Sequence, residues 1–558
     1  MRNRTLVLGA VLLAGATACN DVLSVENPDQ PERDRVLSTP ADVEQFIANS
    51  YVVMHQGTLG QGTTVAGGST NDALQPQLLV MGMENLSGNA NFGMAIRGGY
   101  PRVFIDNSRG NQTELGQLRD WRFEHRAARM AAIGLQRFSA AGFTSGSAGR
   151  DQRAKAFANF VMGVAMGNLA LAYDSATVMS EADDPLEILW PLRPYAEVMD
   201  SALMRLDQAI ALAEADPAPD ALPEGWLNAT DALTSMDDFV RLIRSYKARF
   251  RAGVARTPTE REAVDWDAVI ADVENGIEDD YRVNMSFSTG WDVSWVIQHY
   301  LFQSWHQMWQ LVVGMADTSG AYDAWLATPD ASKTPFVVIT HDRRFPGGES
   351  RTEQIANSPA ENAAPAGNLY FRNRPPGQDV LTPVTIANSF YDFIRFQTFR
   401  NANRIGAYPV MTRAEMDLLE AEGHIRETGD FVEAARLIDI TRVGRGGLQP
   451  LVGAGIDDLA DVIPGGASCV PRVPAEPSFT SSECGNILEA LKWEYRLETA
   501  FTGYGMWYFA GRGWGDLPNG TPIHIPVPYQ EMDARQQAFY NLGGVGGDDA
   551  APVGTYGY

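Results

Sequence analysis

The sequence predicts a mostly α-helical body of tetratricopeptide-like helix pairs, with one irregular, loop-rich half and few short strands. Three observations lead there. Five segments between residues 121 and 273 repeat apolar residues at helical spacing, and further periodic segments follow at 413–442 and 487–501. Breakers such as DPAPDALPEG (216–225) and ARTPTE (255–260) separate the early segments, and adjacent helix pairs joined by short loops are the economical way to bury so many apolar stripes. Two stretches, 57–100 and 340–390, are rich in Gly, Asn or Pro and carry little helical period. The spacing of the helical segments is uneven, so this is a degenerate array and not a clean repeat of about 34 residues.

Residues 1–18 read as a secretory signal peptide. Arg2 and Arg4 supply a positive start, Leu6 to Leu13 a short apolar run, and Ala16, Thr17 and Ala18 a small-residue approach to Cys19. A cysteine directly after such residues resembles a bacterial lipobox, in which the thiol is lipidated before cleavage. The usual Leu three places earlier is Ala16 here, and the alternative is ordinary cleavage near Ala18 that leaves Cys19 free. Lipidation at Cys19 would anchor the chain without spanning the bilayer, and more than one acyl chain makes that stable. No apolar run after residue 19 reads as long enough to span. Residues 19–38 are polar and serve as a tether.

The 558 residues suffice for two or three ordinary domains or one large repeat-built body. With 45% hydrophobic residues, wholesale disorder is excluded. The formal charge is −25, and loss of Arg2 and Arg4 with the signal takes it to −27. Such a surface repels nucleic acid and anionic headgroups and leaves neutral or cationic ligands open. With Cys19 assigned to lipid, Cys469 and Cys484 remain across the polar, Pro-rich VPRVPAEPSFTSSE, and an exported protein is expected to join them as a disulfide.

From residue 39 to the C-terminus the chain reads as one body in three parts. Part 39–282 opens with Thr39 as N-cap and Pro40 at the first helical position. After the loop-rich insert 57–100, helical spacing returns around 121–138, 154–174, 199–210, 239–250 and 266–273. Part 283–412 is irregular and aromatic-rich, with five of the twelve Trp residues at 291, 295, 305, 309 and 325. Part 413–558 holds the late helices.

Three segments resemble one family. CNDVLSVENP (19–28) looks like the mature start of SusD/RagB-family nutrient-uptake lipoproteins. MDLLEAEGHIRETGDFVEAARLIDITRVGRGGL (416–448) is similar to that family's late helical pair, with Ala421-Glu422, the Gly429-Asp430 turn and the closing Arg442, Arg445, Gly447 and Leu448. ILEALKWEYRLETAFTGYGMWYF (487–509) followed by IPVPYQE (525–531) resembles its C-terminal signature, a Glu-spaced helix before Ile-Pro-x-Pro. Where the family has Glu-Gly-x-Arg, this chain has Thr502-Gly503-Tyr504-Gly505, which loses an acid and a base together. The resemblance covers most of the chain. It implies a SusD-like, outward-facing lipoprotein of the outer membrane with an irregular ligand-facing half. It also implies a SusC-like TonB-dependent transporter as partner, over which the protein acts as a lid.

An oligosaccharide site needs flat apolar faces to stack on sugar rings and amides to bond hydroxyls. Trp291, Trp295, Phe302, Trp305 and Trp309 fall within about an 80° arc of an ideal helix, which fits either a binding platform or a core face. Gly290 and the polar SFSTGWD around it point to an exposed loop position for Trp291, and Trp325 follows a similar polar turn. The amides are expected from Asn85, Asn89 and Asn91, next to Phe92, in the Gly-rich NLSGNANFG, unless that segment is only a solvated loop. The candidate ligand-binding residues are therefore Trp291, Trp295, Trp325, Asn89, Asn91 and Phe92. No H-E-x-x-H, G-x-S-x-G, Walker A or complete G-x-G-x-x-G occurs, so the chain is expected to be no enzyme. No cofactor is expected, although loop carbonyls and acids can hold calcium without a readable motif. Two rivals stay open. One is a lipid-anchored glycoside hydrolase with a carboxylate pair hidden among 69 acids. The other is a helical-repeat scaffold of the envelope, which requires Trp291, Trp295 and Trp325 to be buried.

Overall fold

A computed structural model describes residues 37–60, 73–88, 93–111, 116–182, 189–215, 218–230, 233, 235–291 and 306–558. Helix α1 (Pro40–Thr58) starts as predicted: the Asp42 N–H donates to the Thr39 hydroxyl at 3.3 Å, and Pro40 fills the first turn. Helices α2 (Gly116–Phe138), α3 (Ala148–Ala172), α4 (Tyr195–Ala213), α5 (Met236–Gly253) and α6 (Trp266–Glu274) follow. Their starts are set locally, by Ser147 for α3, a Ser235/Asp238 capping box for α5 and Asp265 for α6. Each helix packs on the next, from α1 on α2 through to α5 on α6. Burying one stripe against each neighbour is what the periodic segments require.

Helix α3 is the exception, because it is buried almost all round from Ala154 to Ala172. By length and composition it is long and apolar enough to cross a membrane, which corrects the expectation that no run after residue 19 reaches that length. Of its most apolar window, 94% lies inside the body, so here it is the core helix. Its neighbours approach closely at two glycines. A Cβ on Gly163 would meet Leu206 at 2.7 Å, and one on Gly167 would overlap the Phe250 ring.

The strands are short and, among the described residues, form six antiparallel two-stranded pairs. Three position the site. Strand β1 (Leu86–Ser87) pairs with β5 (His306–Gln307), β2 (Ser175–Thr177) with β3 (Leu192–Pro194), and β4 (Tyr281–Met285) with β6 (Gly406–Met411). Because β4 and β6 are partners, the irregular segment between them leaves and re-enters the helical body at one place.

The late helices are α7 (Arg413–Gly423), α8 (Phe431–Arg442) and α9 (Ile487–Thr499). Helix α7 packs on α6, α8 and α9, which continues the helical stack. Arg249 of α5 pairs with Glu415 at 2.6 Å, and Arg261 pairs with Glu422 at 2.6 Å, so α7 is tied back by buried ions. Burial alone would push the Glu422 carboxyl up, but Arg261 and Arg426 outweigh it and hold the group down at about 2. Cys469 and Cys484 are joined in a disulfide with Cα atoms 5.9 Å apart. The C-terminal Ile-Pro-x-Pro segment docks on the end of α3, where Ile525 N–H donates to Ala172 O at 2.8 Å. It leads into the short helix α10 (Tyr529–Ala534).

Helix α9 is buried on every face although it carries Lys492, Glu494, Arg496 and Glu498. Glu494 meets Arg344 at 2.7 Å, and Arg344 also meets Asp342 at 2.7 Å, with all three side chains sealed from solvent. Glu498 is bound by Arg395 at 3.1 Å and by Arg445, while Lys492 and Arg496 share Asp516. Removing one member of such a set leaves an uncompensated buried charge. Arg344→Met is expected to lower stability by about 3–5 kcal/mol in denaturant unfolding. A loss under about 1 kcal/mol would mean that these ions do not hold the irregular segment to α9.

Candidate functional site

The two segments expected to face a ligand, the early Gly-rich insert and the aromatic stretch, are brought together by the β1–β5 pair. Three further contacts close the junction. Trp309 Nε1–H donates to Asn85 O at 2.8 Å, Gln56 Nε2 donates to Gly290 O at 2.8 Å, and the His55 ring lies 5.1 Å from the Trp291 ring. The C-terminal turn enters from below. The Phe501 N–H donates to a Glu84 carboxylate oxygen, and Gln75 Nε2 donates to Gly503 O at 2.7 Å.

This turn is where the sequence departs from the SusD/RagB pattern. Phe501, Gly503 and Gly505 all take positive φ, and the turn is held without an ion pair of its own. Glu84 and Asp120 do the holding, the latter by accepting from Tyr504 Oη at 2.8 Å. Burial pushes the Glu84 carboxyl well up, against the Phe501 N–H that favours its charged form. Burial likewise raises Asp120, to about 6.

Asn85 carries the feature that points to a ligand or ordered water. It is fully buried, yet neither atom of its carboxamide has a hydrogen-bond partner among the described residues. Buried amides are almost always satisfied, so one orphaned in the early insert calls for a partner from outside those residues.

Several residues singled out from the sequence stand differently from expectation. Trp291 does follow a tight loop, with Gly290 left-handed at φ 80° and Ser286 N–H donating to Trp291 O at 2.6 Å. Its ring, however, turns inward onto Tyr51 and His55 and is only 4% exposed, which corrects its assignment as an open platform. Trp325 is also only 4% exposed, stacked on Tyr322 at 5.9 Å with Lys333 Nζ 4.7 Å from its ring, which corrects that assignment too. Neither described end of the aromatic stretch belongs to one continuous helix: Trp291 bridges to Ser286, and His306–Gln307 is a strand. Trp295, Asn89, Asn91, Phe92 and Cys19 lie outside the described residues. Asn85 is among the amides expected from the sequence, whereas Glu84 and Gln307 are junction residues that spacing alone did not single out, because a nonlocal strand pair creates their setting.

Asp279 and Asp280 line a 260 Å³ cleft with Asp238, Glu278 and Arg241. Asp238 is spent on the α5 capping box, Arg241 pairs with Asp238 at 3.2 Å and Glu278 at 3.1 Å, and Asp280 accepts the Arg413 N–H at 2.9 Å. Asp183 and Asp184 lie outside the described residues. Among the described residues, no three His, Cys, Asp or Glu side chains gather as metal ligands.

No family model matches the chain, and no curated protein matches it in sequence. Solved structures do match in fold. A SusD superfamily protein from Bacteroides vulgatus is similar at TM-score 0.52 and 11% identity, covering 89% of this chain and 97% of its own. One from Parabacteroides distasonis matches at TM-score 0.52 and 12% identity over 89% and 98%. One from Bacteroides thetaiotaomicron matches at TM-score 0.52 and 9% identity over 89% and 98%. The protein has the mostly helical fold of the SusD superfamily.

Glu84 gives this junction a pH signature. A carboxyl raised on folding holds its proton more tightly in the folded state, so its stability contribution is full below the unfolded pKa and lost as pH rises through the folded one. Glu84→Gln keeps an acceptor for the Phe501 N–H and removes the titration. The variant is expected to gain on the wild type as pH rises above about 4.5, by up to about 1.4 kcal/mol per pH unit inside that window, in urea unfolding at stepped pH. Parallel pH profiles would contradict the assignment.

Proposed function

We propose that the protein is a lipid-anchored, outward-facing binding protein of the outer membrane that captures an oligomeric glycan and passes it to a TonB-dependent transporter. The observation that carries this reading is the SusD-superfamily fold over 89% of the chain, and the orphaned Asn85 amide at the insert–aromatic junction supports it. Capture is non-covalent. The buried carboxylates described above serve caps, turns and ion pairs, and the chemistry asked of the site is hydrogen bonding and ring stacking. Lipid on Cys19 and the polar tether 19–38 would let the body swing as a lid, a hinge motion about a few loop residues.

A second reading is favoured by one observation. Burial of Trp291 and Trp325 is what a helical scaffold without a small ligand requires. Glycan binding separates the two. Calorimetric titration against a panel of neutral and charged oligosaccharides is expected to give saturable binding to at least one, with the sugar recovered intact. Absence of binding across the panel would favour the scaffold, and release of new reducing ends would favour a hydrolase.

A further inference from the structure

A concave site is built from residues other than those of the junction. It is a 290 Å³ cleft between α2, the β2–β3 pair and the C-terminal helix α10. Among the described residues its walls carry Arg122, Arg126 and Arg129 from α2 and Arg535 from the end of α10, against one acid, Glu531. Glu531 is already committed, accepting from Arg535 Nε at 2.8 Å. In a chain of net charge −25 this is a local concentration of positive charge, and guanidinium groups favour oxyanions through paired, charge-assisted hydrogen bonds.

The cleft also holds polar atoms that the described protein leaves unused. Trp190 Nε1–H and Thr177 Oγ1 are buried, on residues only 6% and 4% exposed, and neither has a partner among the described residues. Trp190 is otherwise fixed, with Arg535 donating to its carbonyl at 2.8 Å and the Arg129 guanidinium 5.9 Å from its ring. An indole N–H can only donate, so it demands an acceptor.

His125 supplies the complementary demand. Its Nδ1 lies 2.8 Å from Trp121 O, and a carbonyl can only accept, so Nδ1 carries the hydrogen. Burial, with Arg129 and Arg535 adding to it, holds the imidazole down at about 4, so the ring is neutral near pH 7. Nε2 is then a bare acceptor, and it too has no partner among the described residues. An occupant must therefore offer acceptors to Trp190, beside Arg126 and Arg129, and a hydroxyl donor to His125. Water can meet the indole or the imidazole, but it brings no negative charge to set among the arginines.

We propose that this cleft is a subsite for one anionic sugar unit, a hydroxylated ring bearing a carboxylate or sulfate group. Its volume, at the lower end for small-molecule sites, suits a single ring and not an oligomer. That the ring is a sugar rests on the proposed function, whereas the demand for an oxyanion does not.

The test is saturation-transfer NMR and calorimetry on the full-length protein with D-glucuronate, D-galacturonate, glucose 6-sulfate, glucose and inorganic sulfate. Expected is binding of at least one charged sugar well above glucose and above inorganic sulfate, and which one binds decides between carboxylate and sulfate. Arg129→Gln and Trp190→Phe should each weaken that binding about tenfold or more. Arg126→Gln, at an exposed position, should weaken it in the same direction. No charged sugar bound, affinity equal to inorganic sulfate, or binding untouched by all three variants would overturn the proposal. Neutral oligosaccharides titrated in parallel keep the two readings apart: if they bind and the charged sugars do not, the subsite fails and glycan capture stands.

Discussion

A helix with both its apolar and its charged faces buried constrains everything around it. Helix α9 cannot leave Lys492, Glu494, Arg496 and Glu498 unpaired in the interior, so partners have to be delivered from elsewhere in the chain. They come from three regions. Asp342, Arg344 and Arg395 belong to the irregular segment, Arg445 follows α8, and Asp516 and Tyr556 lie in the C-terminal tail. The loop-rich half has little regular structure of its own, and its position is fixed largely by these ions and by the β4–β6 pair through which it enters and leaves. A buried ionic set of this kind contributes little net stability compared with apolar packing, but it tolerates only one arrangement. Such uniqueness is what a segment with little regular structure needs to hold one position.

The same logic places the junction. Glu84 and Asp120 reach the Phe501–Gly505 turn directly after α9, so the early insert, the aromatic stretch and the C-terminal signature share one set of contacts. The acid and base of the SusD/RagB pattern are both missing from this turn, which is held by the raised Glu84 carboxyl and a Tyr504–Asp120 hydrogen bond.

What could be read from the sequence follows the range of the forces involved. Thr39-Pro40 announced the start of α1 because capping is local, and the stripes of α2 and of α4 to α6 were legible because one buried face imposes a 3.6-residue period. The aromatic stretch misled because helical spacing has meaning only inside a helix, and β5 belongs to a pairing with β1 more than two hundred residues earlier. Trp291 follows a polar, glycine-bearing loop as expected, yet Tyr51 and His55 of α1 draw its ring inward, and no local signal records that. The cationic cleft was half visible. Arg122, Arg126 and Arg129 recur at helical spacing in an acidic chain, but Thr177, Trp190 and Arg535 join them only through the fold.

Recovery of the tagged protein in mild detergent from the membranes of its native cells tests the proposed capture and delivery most directly. The expected result is a TonB-dependent barrel co-purifying in stoichiometric amount with the lipidated, folded protein. Recovery of lipidated, folded protein with no barrel would contradict that role, and a helical scaffold or an enzyme would then be the better reading of the same fold.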